Sequence, residues 1–187
     1  MISSKDRSGY FGASDVSFIV GNWKTKTWLE WWMTKLGVRR NSIETVYMNA
    51  GTHWEHRLLE YIGCPEKDKQ IIIESLKLRV NLDGNSEDTI YEVKTYKKEN
   101  GYIVPLKHKE QVWVQMYVSG IRKAYVLSYG LEPEDYKNYF RDIDPERLTL
   151  HKIEYNEQWI NEVFLPKLTR LKECLKLGII PPEVLAA

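Results

Sequence analysis

A chain of 187 residues that is 43% hydrophobic is long enough to bury one core of its own, and no apolar run in it approaches the length of a membrane span. A formal net charge of +1 excludes a uniformly basic surface, and two cysteines, Cys64 and Cys174, exclude a disulfide framework and fit a reducing compartment. With no hydrophobic signal core in Met-Ile-Ser-Ser-Lys-Asp-Arg at the start, the expectation is one domain over residues 1–187, in the cytoplasm and off the membrane.

Taken in chain order, residues 13–20 and 27–36 read as short helices, the second carrying Trp28, Trp31 and Trp32. Residues 46–62 read as a longer helix, on which His53 and His56 lie three apart; no cysteine or third histidine completes a zinc set with them. Residues 71–74 and 76–82 read as strands. In the second, Leu76, Leu78, Val80 and Leu82 alternate with Lys77, Arg79 and Asn81, the period of a half-buried strand. Asp83 to Asp88 reads as a polar turn and residues 89–96 as the next strand. Pro105 precedes a helix over 106–119 that Gly120 stops. Residues 123–129 read as a strand, 133–140 as a short helix and 148–154 as a strand. Asn156 caps a last helix that ends at Gly178 and Pro181-Pro182. This order predicts an α/β sandwich with a central mixed sheet flanked by helices.

The chemistry concentrates around the predicted hairpin. Asp83 ends one strand, and Glu92 and Lys94, two apart, share a face of the next. Two carboxylates and an ammonium group on one spot suit a site that holds Mg²⁺ and hydrolyses a phosphodiester; a hairpin with a solvated Glu/Lys face is the other reading. Glu55 falls with Leu58, Leu59 and Ile62 on the apolar stripe of its helix, so it needs a cation: a metal shared with Asp83 and Glu92, or a salt bridge. Gln111 and Gln115, four apart, share a helical face that lines a polar cleft or is simply solvated. The seven tryptophans either stack on unpaired bases or pack in the core. Charge is uneven: residues 1–47 hold seven basic against four acidic side chains, residues 94–109 five against one, and residues 131–147 three against six. Basic walls around an acidic floor suit a phosphate backbone.

These pieces, in this order, resemble the lambda-type phage exonucleases, including the YqaJ-like viral recombinase group, of the PD-(D/E)XK nuclease superfamily. The resemblance runs over residues 7–182. It rests on Arg7-Ser-Gly-Tyr-Phe-Gly-Ala-Ser14-Asp15, Gly51-Thr-His-Trp-Glu55, Leu82-Asp83-Gly84, Tyr91-Glu92-Val93-Lys94 and Gln111-Val-Trp-Val-Gln115-Met-Tyr-Val-Ser-Gly120, with the closing helix over 156–177. Two positions depart: Asn81-Leu82 stand where the family often has Ser-Pro, and Tyr96 follows Thr95 where a proline is common.

The resemblance implies a single-domain restriction-endonuclease-like fold and a metal-dependent deoxyribonuclease, a 5′→3′ exonuclease of phage recombination. An endonuclease or junction resolvase, or an inactive DNA- or partner-binding module, are the alternatives. It implies Asp83, Glu92 and the backbone carbonyl of Val93 as ligands for Mg²⁺, with Mn²⁺ as a substitute, and Glu55 completing or relaying the site. Lys94 would orient the attacking water or stabilise the transition state, and Gln111 would position lysine, water or DNA. Gln115, Arg7 and Ser14 would contact DNA, the last two as a pocket for a 5′-terminal phosphate; Ser14 as a helix cap and Arg7 as a solvated tail residue are the plainer reading. The family further implies a homotrimer, a single-strand annealing protein as partner, and, for a phage-encoded chain, the bacterial host cytoplasm.

Overall fold

The computed structural model describes residues 8–39 and 45–185. Its centre is a five-stranded sheet in the order β1-β2-β3-β4-β5. The strands are β1 (Glu66–Ile73), β2 (Leu78–Asn85), β3 (Thr89–Lys97), β4 (Lys123–Leu131) and β5 (Leu148–Ile153). β3 and β4 are parallel and joined by a helix, and the other neighbours are antiparallel, so the sheet is mixed.

Alternation along β4 shows how the sheet is covered. Ala124 and Val126 enter one hydrophobic cluster, and Leu127, Tyr129 and Leu131 enter a second. The first cluster is completed by α1 (Val16–Val20), α2 (Lys26–Lys35), α4 (Leu106–Ser119) and α6 (Leu165–Leu177), the second by α3 (Val46–Tyr61). Trp28, Trp32 and Trp54 are at most 1% exposed. Their indole N–H groups donate to the carbonyls of Phe18, Ile179 and Asp135. Packing, not base stacking, therefore accounts for these three. Among the described residues no helix is long and apolar enough to cross a membrane.

Several boundaries differ from expectation for physical reasons. The edge strand β1 begins at Glu66, five residues before the expected start, because Glu66–Gln70 is charged and carries no alternation. Asp68 has φ +57° and is left out of the pairing between Lys67↔Gly84 and Lys69↔Leu82, while the register on either side is unbroken: a local kink opposite Asp83 with no inserted residue. β2 continues through Asp83 to Asn85, so Asp83 lies inside a strand and the turn shrinks to residues 86–88. Residues 13–15 form a 3₁₀ turn that leads directly into α1, so the expected helix over 13–20 is present, whereas the expected helix over 133–140 is only a 3₁₀ turn, Pro133–Tyr136. The closing helix runs from α5 (Glu157–Trp159) through a π-helical turn, Ile160–Phe164, into α6. Pro166 has no N–H to return to Glu162, and the wider turn absorbs that missing bond. A last turn, α7 (Pro182–Leu185), follows.

Candidate active site

β2 and β3 pair only at Gly84↔Tyr91 and Asn85↔Ile90 and then part. Beyond the last pair a side chain replaces the ladder: the Val93 N–H donates to Asp83 Oδ2 at 2.8 Å. Leu82 packs in the first cluster, whereas a Cβ on Gly84 would meet Leu59 and Cys64 of the second. Two residues of equal parity thus face opposite layers, and β2 turns over at Asp83, across from the kink at Asp68. Turn-over and fork together open a cleft of about 980 Å³ lined by Ser14, Glu55, Asp68, Asp83, Glu92, Lys94 and Gln111, among others.

Glu92 is the centre of this site and is 1% exposed. Its Oε1 accepts from Lys94 Nζ at 2.5 Å and Gln111 Nε2 at 2.6 Å, and its Oε2 from Gln115 Nε2 at 2.5 Å. Three donors offset the cost of burying a carboxylate. Glu55 reaches the cleft from α3. Its pKa is raised to about 7, first by burial and then by the charges of Glu92 and Asp68. Burial and the charges of Glu92 and Glu55 raise that of Asp83 well above the usual carboxylate range. Burial lowers the pKa of Lys94, but the charges of Glu92 and Asp83 outweigh it, so the ammonium is held above its ordinary value. Glu55, Asp83 and Glu92 thus gather around the ammonium of Lys94, with Asp68 and Asp15 also on the cleft and Lys35 there tied to Asp15. That excess of carboxylate oxygen in an open cleft fits a hard divalent cation.

The structure gathers Glu55, Asp83, Glu92, Lys94, Gln111 and Ser14 on one cleft. Arg7 lies outside the described residues. Gln115 does not line the cleft: it is fully buried and bonded to Glu92, so it is not placed to touch DNA as the sequence reading expected. Ser14 is exposed and does not cap the turn; Asp15 does so by accepting from the Gly12 N–H at 2.7 Å. Asp15 also binds Lys35 at 2.5 Å inside the cleft wall.

Two groups escaped the sequence reading. Ligand atoms of Glu55, His56 and Asp68 lie within 4.8 Å of one another, an arrangement able to hold a metal ion. His56 Nε2 stands 2.9 Å from Asp68 Oδ2. His56 is one residue from Glu55 in the sequence, but Asp68 comes from a different element, β1. Tyr102 and His108 also pair, the phenol 2.8 Å from Nδ1. Burial, Lys94 and Lys107 push His108 down to about 4, so its ring is neutral near pH 7. Tyr102 is raised to about 12, first by burial.

No family model and no curated protein matches the chain. Solved structures do. The alkaline exonuclease LHK-Exo from Laribacter hongkongensis aligns with a TM-score of 0.68 at 18% identity, covering 91% of this chain and 90% of that one. A phage-related exonuclease from Haemophilus somnus 129PT aligns with a TM-score of 0.66 at 13% identity, covering 90% and 95%. At such identities the likeness shows the fold alone: this sheet and its flanking helices share the architecture of these solved structures.

Proposed function

We propose that the chain is a divalent-cation-dependent deoxyribonuclease that digests linear duplex DNA from a 5′ end. The observation that carries this reading is the strand fork, where Asp83 and Glu92 converge with Lys94 and Glu55 on one cleft. The shared architecture supports it, and LHK-Exo has been solved in complex with dAMP, a mononucleotide. Magnesium fits the donor set, with manganese as substitute: Asp83 and Glu92 would hold it with the Val93 carbonyl, and Glu55 would complete or relay the site. When bound, the cation supplies Lewis-acid polarisation of a phosphate oxygen and a more acidic water. The protein's own groups do the rest. Lys94 supplies positive charge at the cleft side of Glu92, where charge develops on the phosphate oxygens. Gln111 fixes the Glu92 oxygen that Lys94 also holds. Ser14, with Arg7, would receive the terminal phosphate. A role in phage recombination, a trimer around DNA, a single-strand annealing partner and a bacterial cytoplasmic setting complete the proposal.

End-labelled linear duplex and covalently closed circular duplex, each with Mg²⁺ and with chelator, test it. The linear DNA should be degraded to small products only with Mg²⁺, and the circle should survive. Cleavage of the circle would move the assignment to an endonuclease or resolvase. No hydrolysis of either, with binding retained, would make the chain a binding module.

A further inference from the structure

One side chain spans the fork between β2 and β3. Gln115 Nε2 donates to Glu92 Oε2 at 2.5 Å and to the backbone carbonyl of Asn81 at 3.3 Å. It thereby ties the β3 carboxylate to the β2 strand that carries Asp83, where the ladder itself no longer joins them. The residue is fully buried, and its Oε1 has no hydrogen-bond partner. Both amide hydrogens are used, so the orientation of the group is fixed: reversed, Oε1 would face a carboxylate and a carbonyl, acceptor against acceptor. The orphaned oxygen is the consequence of that orientation. Core packing alone is better met by methionine or leucine, which bury no unsatisfied atom.

We propose that Gln115 is a positioning residue that sets the orientation of Glu92 and its spacing from Asp83, and so the affinity of the fork for a divalent cation. Lys94 and Gln111 hold the Glu92 oxygen nearer the cleft, and Gln115 holds the other from behind. The inference rests on the nuclease reading and says which buried residue tunes its metal site.

The test titrates Mg²⁺ and Mn²⁺ by calorimetry into metal-free wild type, Gln115→Met and Gln115→Asn, the last keeping the amide but shortening its reach. Hydrolysis of linear duplex is measured alongside. Both folded variants should bind the cation about 10–100-fold more weakly and lose kcat with little change in KM for DNA. Unchanged cation affinity and kcat would reduce Gln115 to packing, and a raised KM with kcat intact would return it to the DNA. Wild type that binds neither cation would remove the nuclease reading together with this proposal. Should both variants fail to fold, the Gln115 side-chain NH₂ signals of the wild type decide by NMR. Slow solvent exchange and movement on Mg²⁺ addition support the role. Signals that stay still while the Val93 amide moves overturn it.

Discussion

A carboxylate that is 1% exposed has to find its hydrogen bonds inside the protein, and Glu92 accepts three of them. Asp83 is held differently, by a single backbone N–H from the strand it has been parted from. Asp83→Ala and Glu92→Ala should each abolish Mg²⁺-dependent DNA digestion. Asp83→Asn should be equally inactive but more stable than Asp83→Ala by about 1–2 kcal/mol. Both variants lose the repulsion from Glu92 and Glu55, yet only asparagine keeps an acceptor for the Val93 N–H. Thermal melts and digestion assays on the three variants check this, and full activity in any of them defeats the assignment. Lys94→Met should lower kcat far more than it raises KM, because the charge acts chiefly on the transition state. Single-turnover rates at saturating DNA are the measurement. An unchanged rate with collapsed affinity would make Lys94 a backbone contact only.

The elements meet at Gly84. A Cβ there would stand 2.5 Å from Leu59 Cδ2 and 2.8 Å from Cys64 Sγ, so glycine is what lets α3 approach β2 closely enough to deliver Glu55. Gly84→Ala should destabilise the protein by about 1–3 kcal/mol in denaturant titration, since Leu59 is fully buried and must shift. It should also lower kcat by moving the helix that carries Glu55. Wild-type stability and rate would show that α3 is not seated by this contact. How legible the site was follows from the same region. The alternation of Leu78, Val80 and Leu82 and the pair Glu92/Lys94 are local patterns, and they gave β2, β3 and the site carboxylates. The turn-over at Asp83 lies opposite the kink at Asp68, on a neighbouring strand whose charged start, Glu66–Gln70, has no periodicity, so that part of β1 and the Glu55–His56–Asp68 group stayed hidden. Gln115 was recognised as polar on the correct helical face, but its partner depends on where the strands fork, which is tertiary.

For the molecule as a whole, two groups couple the site to stability with opposite signs. Glu55 is raised from 4.5 to about 7, so its contribution is fully present below about 4.5 and is lost as pH rises through 7. His108 is lowered from 6.5 to about 4, so its contribution is present above about 6.5 and is lost as pH falls through 4. Lys94, held above its ordinary value, adds no slope near neutrality. Shifts of this size correspond to on the order of 2 kcal/mol each after allowance for solvent screening. The two slopes oppose each other in metal-free wild type between pH 4 and 7, and the raised Asp83 adds a fall with rising pH of the same sign as that of Glu55. Single variants expose them. Glu55→Gln should gain stability relative to wild type as pH rises from 5 to 8, to roughly 5 °C in melting temperature at the upper end. His108→Gln should instead gain relative to wild type as pH falls from 6.5 to 4. Melting curves of the three proteins across this range, in chelator, make the comparison. Repeating them with Mg²⁺ should raise the wild-type melting temperature most at pH 8, where protons compete least with the cation, and much less at pH 5. A Mg²⁺ effect that is equal at both pH values would show that the cation is not held by these carboxylates.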